Sequence, residues 1–314
     1  MKNLFRLAIF AVIALSVSCD KDPTGNFEII GLTKENYPKV DGSTSAQPLQ
    51  TLIACKLLGM SYDWSFDPML MHYTLYPPYQ DEESFRFIIN NVRNTGTHSS
   101  IINLIEGNAD IIISARGASE TEKEVAKENN VKLLEIPIAI DAFIFIVNEE
   151  NPVNGLTTQQ IRDIYTGKIT NWSEVGGNIA DIRPFKRNAT SGSQVLMEEL
   201  VMNGEELIDI PQMEASPTMW GPFQLLTQIP DGICYTVYYY KEFMARAESV
   251  KHIAVDGVYP DSNKLKSRQY PYTTDVYAMI REDLDEASMA YKLYQLLLSK
   301  AGRKVIEESG YVPY

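Results

Sequence analysis

The sequence predicts a two-lobed α/β protein whose sheets are mixed, mostly parallel and flanked by helices, with hinge crossovers between the lobes. Three observations predict it. Apolar β-like runs alternate repeatedly with helix-like segments, the pattern of α/β layers. The chain has 314 residues, 45% of them hydrophobic, enough to fill two separate cores. A polar turn, Asn148 to Gly155, follows an apolar strand and opens a second unit, placing a lobe boundary near Asp141.

The expected strands are Ala109–Ser114, Val131–Ile140, Phe143–Val147 and Gly232–Val237. Helices are expected after Pro48, Ser99, Ser119, Thr157, Ser193 and Asp285. The stretch from Tyr272 to Ile280, with the helix of Tyr291, Leu293, Leu296 and Leu297, is expected to return to the first lobe. That assigns 36–141 and 254–314 to lobe I and 142–253 to lobe II. Tyr62, Trp64, Phe66, His72, Tyr73, Tyr76 and Tyr79 crowd a segment that also holds Pro68, Pro77 and Pro78. It reads as a surface excursion packed by its own aromatics, or else as a wall or docking patch.

At the start, Lys2 and Arg6 precede an apolar run from Leu7 to Leu15 that is too short to span a bilayer, which marks residues 1–18 as a signal peptide. Leu15-Ser16-Val17-Ser18-Cys19 resembles a lipobox, with its leucine four residues before the cysteine rather than three. Cys19 is therefore the expected lipidation site and 19–35 a tether, giving an exported, lipid-anchored protein. The alternative is ordinary cleavage near Ser18. Removing Lys2 and Arg6 takes the net charge from −13 to −15, which argues against a nucleic-acid partner. An anion remains admissible if backbone N–H groups and one arginine hold it. Cys55 and Cys234 read as lone buried thiols, with a pairing between them the other possibility.

Enzymatic patterns are absent from the sequence. His72, His98 and His252 form no metal spacing, and no Gly-x-Ser-x-Gly elbow occurs, so no cofactor is expected. His98 could donate to an anion or serve as a local hydrogen-bonding residue. The pairs Glu82-Glu83, Glu149-Glu150 and Glu198-Glu199 read as solvated surface.

Three loops of small hydroxyl residues run straight into apolar-periodic helices: Gly42-Ser43-Thr44-Ser45, Gly96-Thr97-His98-Ser99-Ser100 and Thr190-Ser191-Gly192-Ser193. Each offers helix N–H groups and hydroxyl donors to an anion, although Ser and Thr also cap helices for structural reasons alone. Arg187, four residues before Ser191, adds a guanidinium able to grip two oxygens of a tetrahedral oxyanion.

These loops, with Ile161-Arg162-Asp163-Ile164-Tyr165-Thr166-Gly167-Lys168-Ile169-Thr170-Asn171-Trp172, Asp231-Gly232-Ile233-Cys234-Tyr235 and Gly310-Tyr311-Val312-Pro313, resemble the phosphate-binding proteins of bacterial phosphate ABC transporters. The resemblance implies a type II periplasmic-binding-protein fold that closes about a hinge, an inner-membrane ABC permease as partner, and a monomer. It implies ligand contacts from Thr44, Ser45, Thr97, Arg187, Ser191, Gly192 and Ser193, with Ser43, Arg116 and Asp141 as weaker candidates. Family members that reject sulfate carry an aspartate where this chain has Ala115, followed by Arg116. Asp141 or Asp41 is the available substitute; alternatively, Asp141 pairs with Arg116 at a strand end. Capture of sulfate or another oxyanion, or a sensor, adhesin or scaffold role on the same fold, stay open.

Overall fold

A computed structural model describes residues 25–209 and 219–314. The signal peptide, Cys19 and the start of the tether lie outside the described residues. Among those residues the strands are β1 (Val40–Gly42), β2 (Asp63–Asp67), β3 (His72–Tyr76), β4 (Ile111–Ser114), β5 (Leu133–Asn148), β6 (Gly155–Leu156), β7 (Arg183–Pro184), β8 (Gly232–Val237), β9 (Val250–His252), β10 (Ala254–Val255), β11 (Thr273–Arg281) and β12 (Val312–Pro313). The helices are α1 (Gln47–Leu58), α2 (Glu82–Asn91), α3 (Thr97–Ile105), α4 (Glu120–Glu128), α5 (Thr158–Tyr165), α6 (Gly192–Leu196), α7 (Gly221–Gln228), α8 (Ser262–Lys266), α9 (Met289–Leu297) and α10 (Lys300–Glu308).

One eight-stranded sheet runs in the order β1-β4-β11-β5-β8-β7, with β9 and β12 also pairing β5. Its spine is β5, whose first part pairs antiparallel with β11 as far as Ala142 and whose second part, from Phe143, pairs antiparallel with β8. The two runs expected as separate strands are therefore one. Asp141 interrupts the apolar pattern, but its carboxylate accepts the N–H groups of Ala142 and Tyr239, so the strand continues through it. The sheet is mixed. Parallel pairing holds at β1–β4 and β7–β8, and β5 and β11 make the centre antiparallel, a larger antiparallel share than α/β alternation implies.

Phe143, Phe145, Tyr165 and Tyr235 pack ring to ring in the second half of the sheet, all fully buried. Expected helices shift slightly at their ends. α3 begins at Thr97, because Gly96 takes φ 94 and turns the chain there, and α9 begins at Met289 behind its cap Ser288. Cys55 on α1 and Cys234 on β8 are buried free thiols.

The aromatic segment is a β-hairpin, β2–β3, turned by Asp67, whose Oδ1 accepts the N–H groups of Met69 and Leu70. Its rings do not pack only on each other. Trp64 and Tyr73 flank the Arg246 guanidinium, 5.0 and 4.5 Å from the ring centroids, and buried His72 meets Tyr240 Oη at 3.1 Å. The hairpin thus ties α1 to the short helical segment, Tyr240–Ala245, that follows β8. No helix among the described residues is long and apolar enough to cross a membrane.

Candidate functional site

Segments remote in sequence meet at a cavity of about 260 Å³. Its wall holds Ser43, Thr44 and Ser45 ahead of α1, Thr97 and His98 at the start of α3, Ala115 and Arg116 after β4, and Arg187, Ser191, Gly192 and Ser193 leading into α6. Every expected binding residue except Asp141 lies on that wall.

The hydroxyls there are not ordinary caps. Elsewhere Asp81, Ser119, Thr157, Asn171, Asp261, Ser288 and Ser299 accept first-turn N–H groups through their side chains. At the cavity, the cap residues Ser43, Gly96 and Ser191 make no such bond. No cap side chain there competes with an incoming acceptor for the first-turn N–H groups. Ser43 Oγ lies 2.8 Å from Thr97 Oγ1 and accepts the Ala115 N–H at 2.8 Å, which locks two of the loops to the end of β4. Ser191 and Ser193 hydroxyls pair at 3.0 Å.

The two arginines of the wall differ. Arg116 forms a bidentate pair with buried Glu122, at 2.7 and 2.9 Å, so its charge is already neutralised. The expected pair between Arg116 and Asp141 does not form, because Glu122, at the third position of α4, lies directly against the guanidinium. Arg187 has no ion-pair partner among the described residues, and burial lowers the pKa of its guanidinium. Its backbone N–H donates to Gln194 Oε1 and Tyr235 Oη, both at 3.0 Å, which fixes where the side chain starts. Among the described residues the cavity therefore presents one uncompensated cation among hydroxyls and helix N–H groups, and no carboxylate of theirs lines it.

Neither proposed substitute aspartate reaches the ligand space. Buried Asp41 accepts from Thr95 N–H at 2.9 Å, from the Thr95 hydroxyl and from Asn103 Nδ2 at 2.8 Å, pinning the loop that precedes α3. Asp141 is buried behind the wall where β5 passes from β11 to β8. Its Oδ1 accepts two backbone N–H groups and its Oδ2 has no partner. Burial outweighs those two hydrogen bonds and pushes its pKa up to about 7 from 3.8. The folded protein thus holds a proton that the unfolded chain has released, and stability falls as pH rises between those two values. Asp141→Asn is expected to flatten that slope and to raise stability at pH 8 by up to about 4 kcal/mol. Thermal denaturation at pH 4, 6 and 8 checks it, and an unchanged slope would show that another group titrates.

One link lay beyond the sequence pattern. His98 Nδ1 sits 2.9 Å from Glu122 Oε1, joining α3 to α4 beside the cavity. Ser119-x-x-Glu122 is visible as a capping box, but its contacts to His98 and Arg116 arise only in the folded chain. Opposite walls also touch. A Cβ added to Gly192 would lie 2.5 Å from Thr97 Oγ1 and 3.0 Å from Thr97 Cβ, so glycine is what lets the two loops approach.

A family model described as a PBP superfamily domain matches residues 89–300. The phosphate-binding protein PstS of Staphylococcus aureus strain USA300 is 26% identical over 224 residues, 69% of this chain and 67% of its own length. A solved structure from Clostridium perfringens, described as a phosphate ABC transporter substrate-binding protein with bound phosphate, shares 26% identity at a TM-score of 0.64, covering 88% of this chain and 98% of that one. An ABC-type phosphate transport receptor from Vibrio cholerae shares the fold, with a TM-score of 0.59 and 23% identity over 91% of this chain and 100% of the other.

Proposed function

The chain belongs to the PBP superfamily, and from that premise we propose that it captures inorganic phosphate between its two lobes and delivers it to an ABC permease. It is a substrate-binding protein, not an enzyme. The observation that carries the ligand reading is Arg187, an uncompensated guanidinium in a small cavity of uncapped helix starts. Relatives whose names specify phosphate support the choice among oxyanions.

On this reading Thr44, Ser45 and Thr97 hold the anion from the first lobe, 36–141 with 254–314. Arg187, Ser191, Gly192 and Ser193 hold it from the second, 142–253. The pairing of β10 with β6 supports a return crossing just after Val255 rather than just before it. Closure removes water from the cavity and strengthens each hydrogen bond. The protein works as a monomer outside the cytoplasm, anchored through Cys19, and the permease recognises the closed form.

Calorimetric titration of the purified, phosphate-stripped protein tests the ligand. Phosphate is expected to bind with one-to-one stoichiometry and sulfate to bind much more weakly. Absence of phosphate binding would remove this reading and leave the fold to a sensor or scaffold; tighter binding of sulfate would reassign the ligand.

A further inference from the structure

We propose that His98 is the specificity-determining residue of this cavity, its Nε2 accepting a hydrogen bond from the proton that phosphate carries and sulfate lacks. The inference rests on the phosphate-capture reading. Rejecting a fully ionised oxyanion requires an acceptor that cannot rotate into a donor, and a carboxylate would serve, yet none among the described residues lines the cavity. Serine and threonine hydroxyls do not discriminate, since each rotates to donate to whichever oxygen arrives.

A neutral imidazole with its other nitrogen committed meets the requirement. Glu122 commits it. Its Oε1 takes Arg116 Nη2 and His98 Nδ1, both at 2.9 Å, and its Oε2 takes Arg116 Nη1 at 2.7 Å and the Ser119 N–H at 2.8 Å. Burial alone would raise the Glu122 pKa, but the bonds and charge from Arg116, with those from Ser119 and His98, offset it and hold the carboxyl below its usual range. An ionised carboxylate only accepts, so the hydrogen-bond network assigns the proton of His98 to Nδ1. Nε2 is then the nitrogen left free on a side chain that lines the cavity and is one-third exposed.

Glu122 is already balanced by Arg116, and Arg187 is a cation on the wall of the same cavity.

Calorimetric titration of the purified protein with phosphate and with sulfate at pH 8.0 tests this in the unaltered chain and in His98→Gln. The glutamine amide offers donor or acceptor by rotation. The unaltered protein is expected to prefer phosphate, and in His98→Gln that preference should fall about tenfold or more, with phosphate still bound. A variant that keeps the full preference overturns the assignment, as does an unaltered protein binding both anions equally. Failure of the phosphate reading itself looks different, because the unaltered protein would then bind no phosphate.

Discussion

Arg187→Ala is expected to weaken phosphate binding roughly 100-fold, about 2.7 kcal/mol, while the empty protein melts at the same temperature or slightly above it. The first half follows from the pairing it removes: a charge-assisted, two-pronged contact in a site from which closure excludes water. The second follows from its surroundings. The guanidinium carries a desolvation cost with no acidic partner among the described residues to offset it, so truncation removes a penalty along with the contact. Arg187→Lys keeps the charge and loses the fork, and should fall between the two, about tenfold below the unaltered protein. Calorimetry with a parallel melting curve separates these terms, and unchanged affinity in the alanine variant would take Arg187 out of the site.

Gly192→Ala should cost binding at least as much, about 100-fold or more, with every ligand-contacting group still present. The added methyl meets Thr97 at 2.5 Å from Oγ1 and 3.0 Å from Cβ. Turning the hydroxyl relieves the first contact but not the second, so the loops must separate. Folding should not suffer, since alanine is the better helix former at that position. The signature is a solution radius, measured by small-angle scattering, that stays at the ligand-free value when phosphate is added. Contraction equal to that of the unaltered protein, with normal affinity, would show that the two loops need not touch.

Much of the architecture was legible because burial on both faces writes itself as an uninterrupted apolar run. β8 lies over Gly232–Val237 as expected, and all six of its residues are buried. The three anion loops were legible from glycine and hydroxyl residues ahead of periodic helices. What escaped depended on contacts that chain order does not encode. The continuity of β5 was hidden by Asp141, whose partner Tyr239 stands 98 residues away. The hairpin was hidden because Pro68 sits between its two short strands and Pro77 and Pro78 follow them, and its buried partner Tyr240 belongs to another segment. The partner of Arg116 is Glu122 rather than Asp141, the alternative that the sequence offers. Glu122 is six residues on, across a turn, and only the fold brings it under the guanidinium.

The place of β11 in the sheet carries a consequence for how the chain reaches its native state. β4 and β5 do not touch in the sheet; β11, from Thr273–Arg281, fills the gap between them and pairs with both. Nearly the whole polypeptide must exist before the first lobe can close its core, and until then two strands rich in isoleucine have open edges. Pairings this distant in sequence form slowly, because the entropy of closing a long loop is lost before any contact compensates it. On the proposed reading of an exported protein, an architecture completed only by its C-terminal segment keeps the first lobe from folding before the chain has been threaded across the membrane.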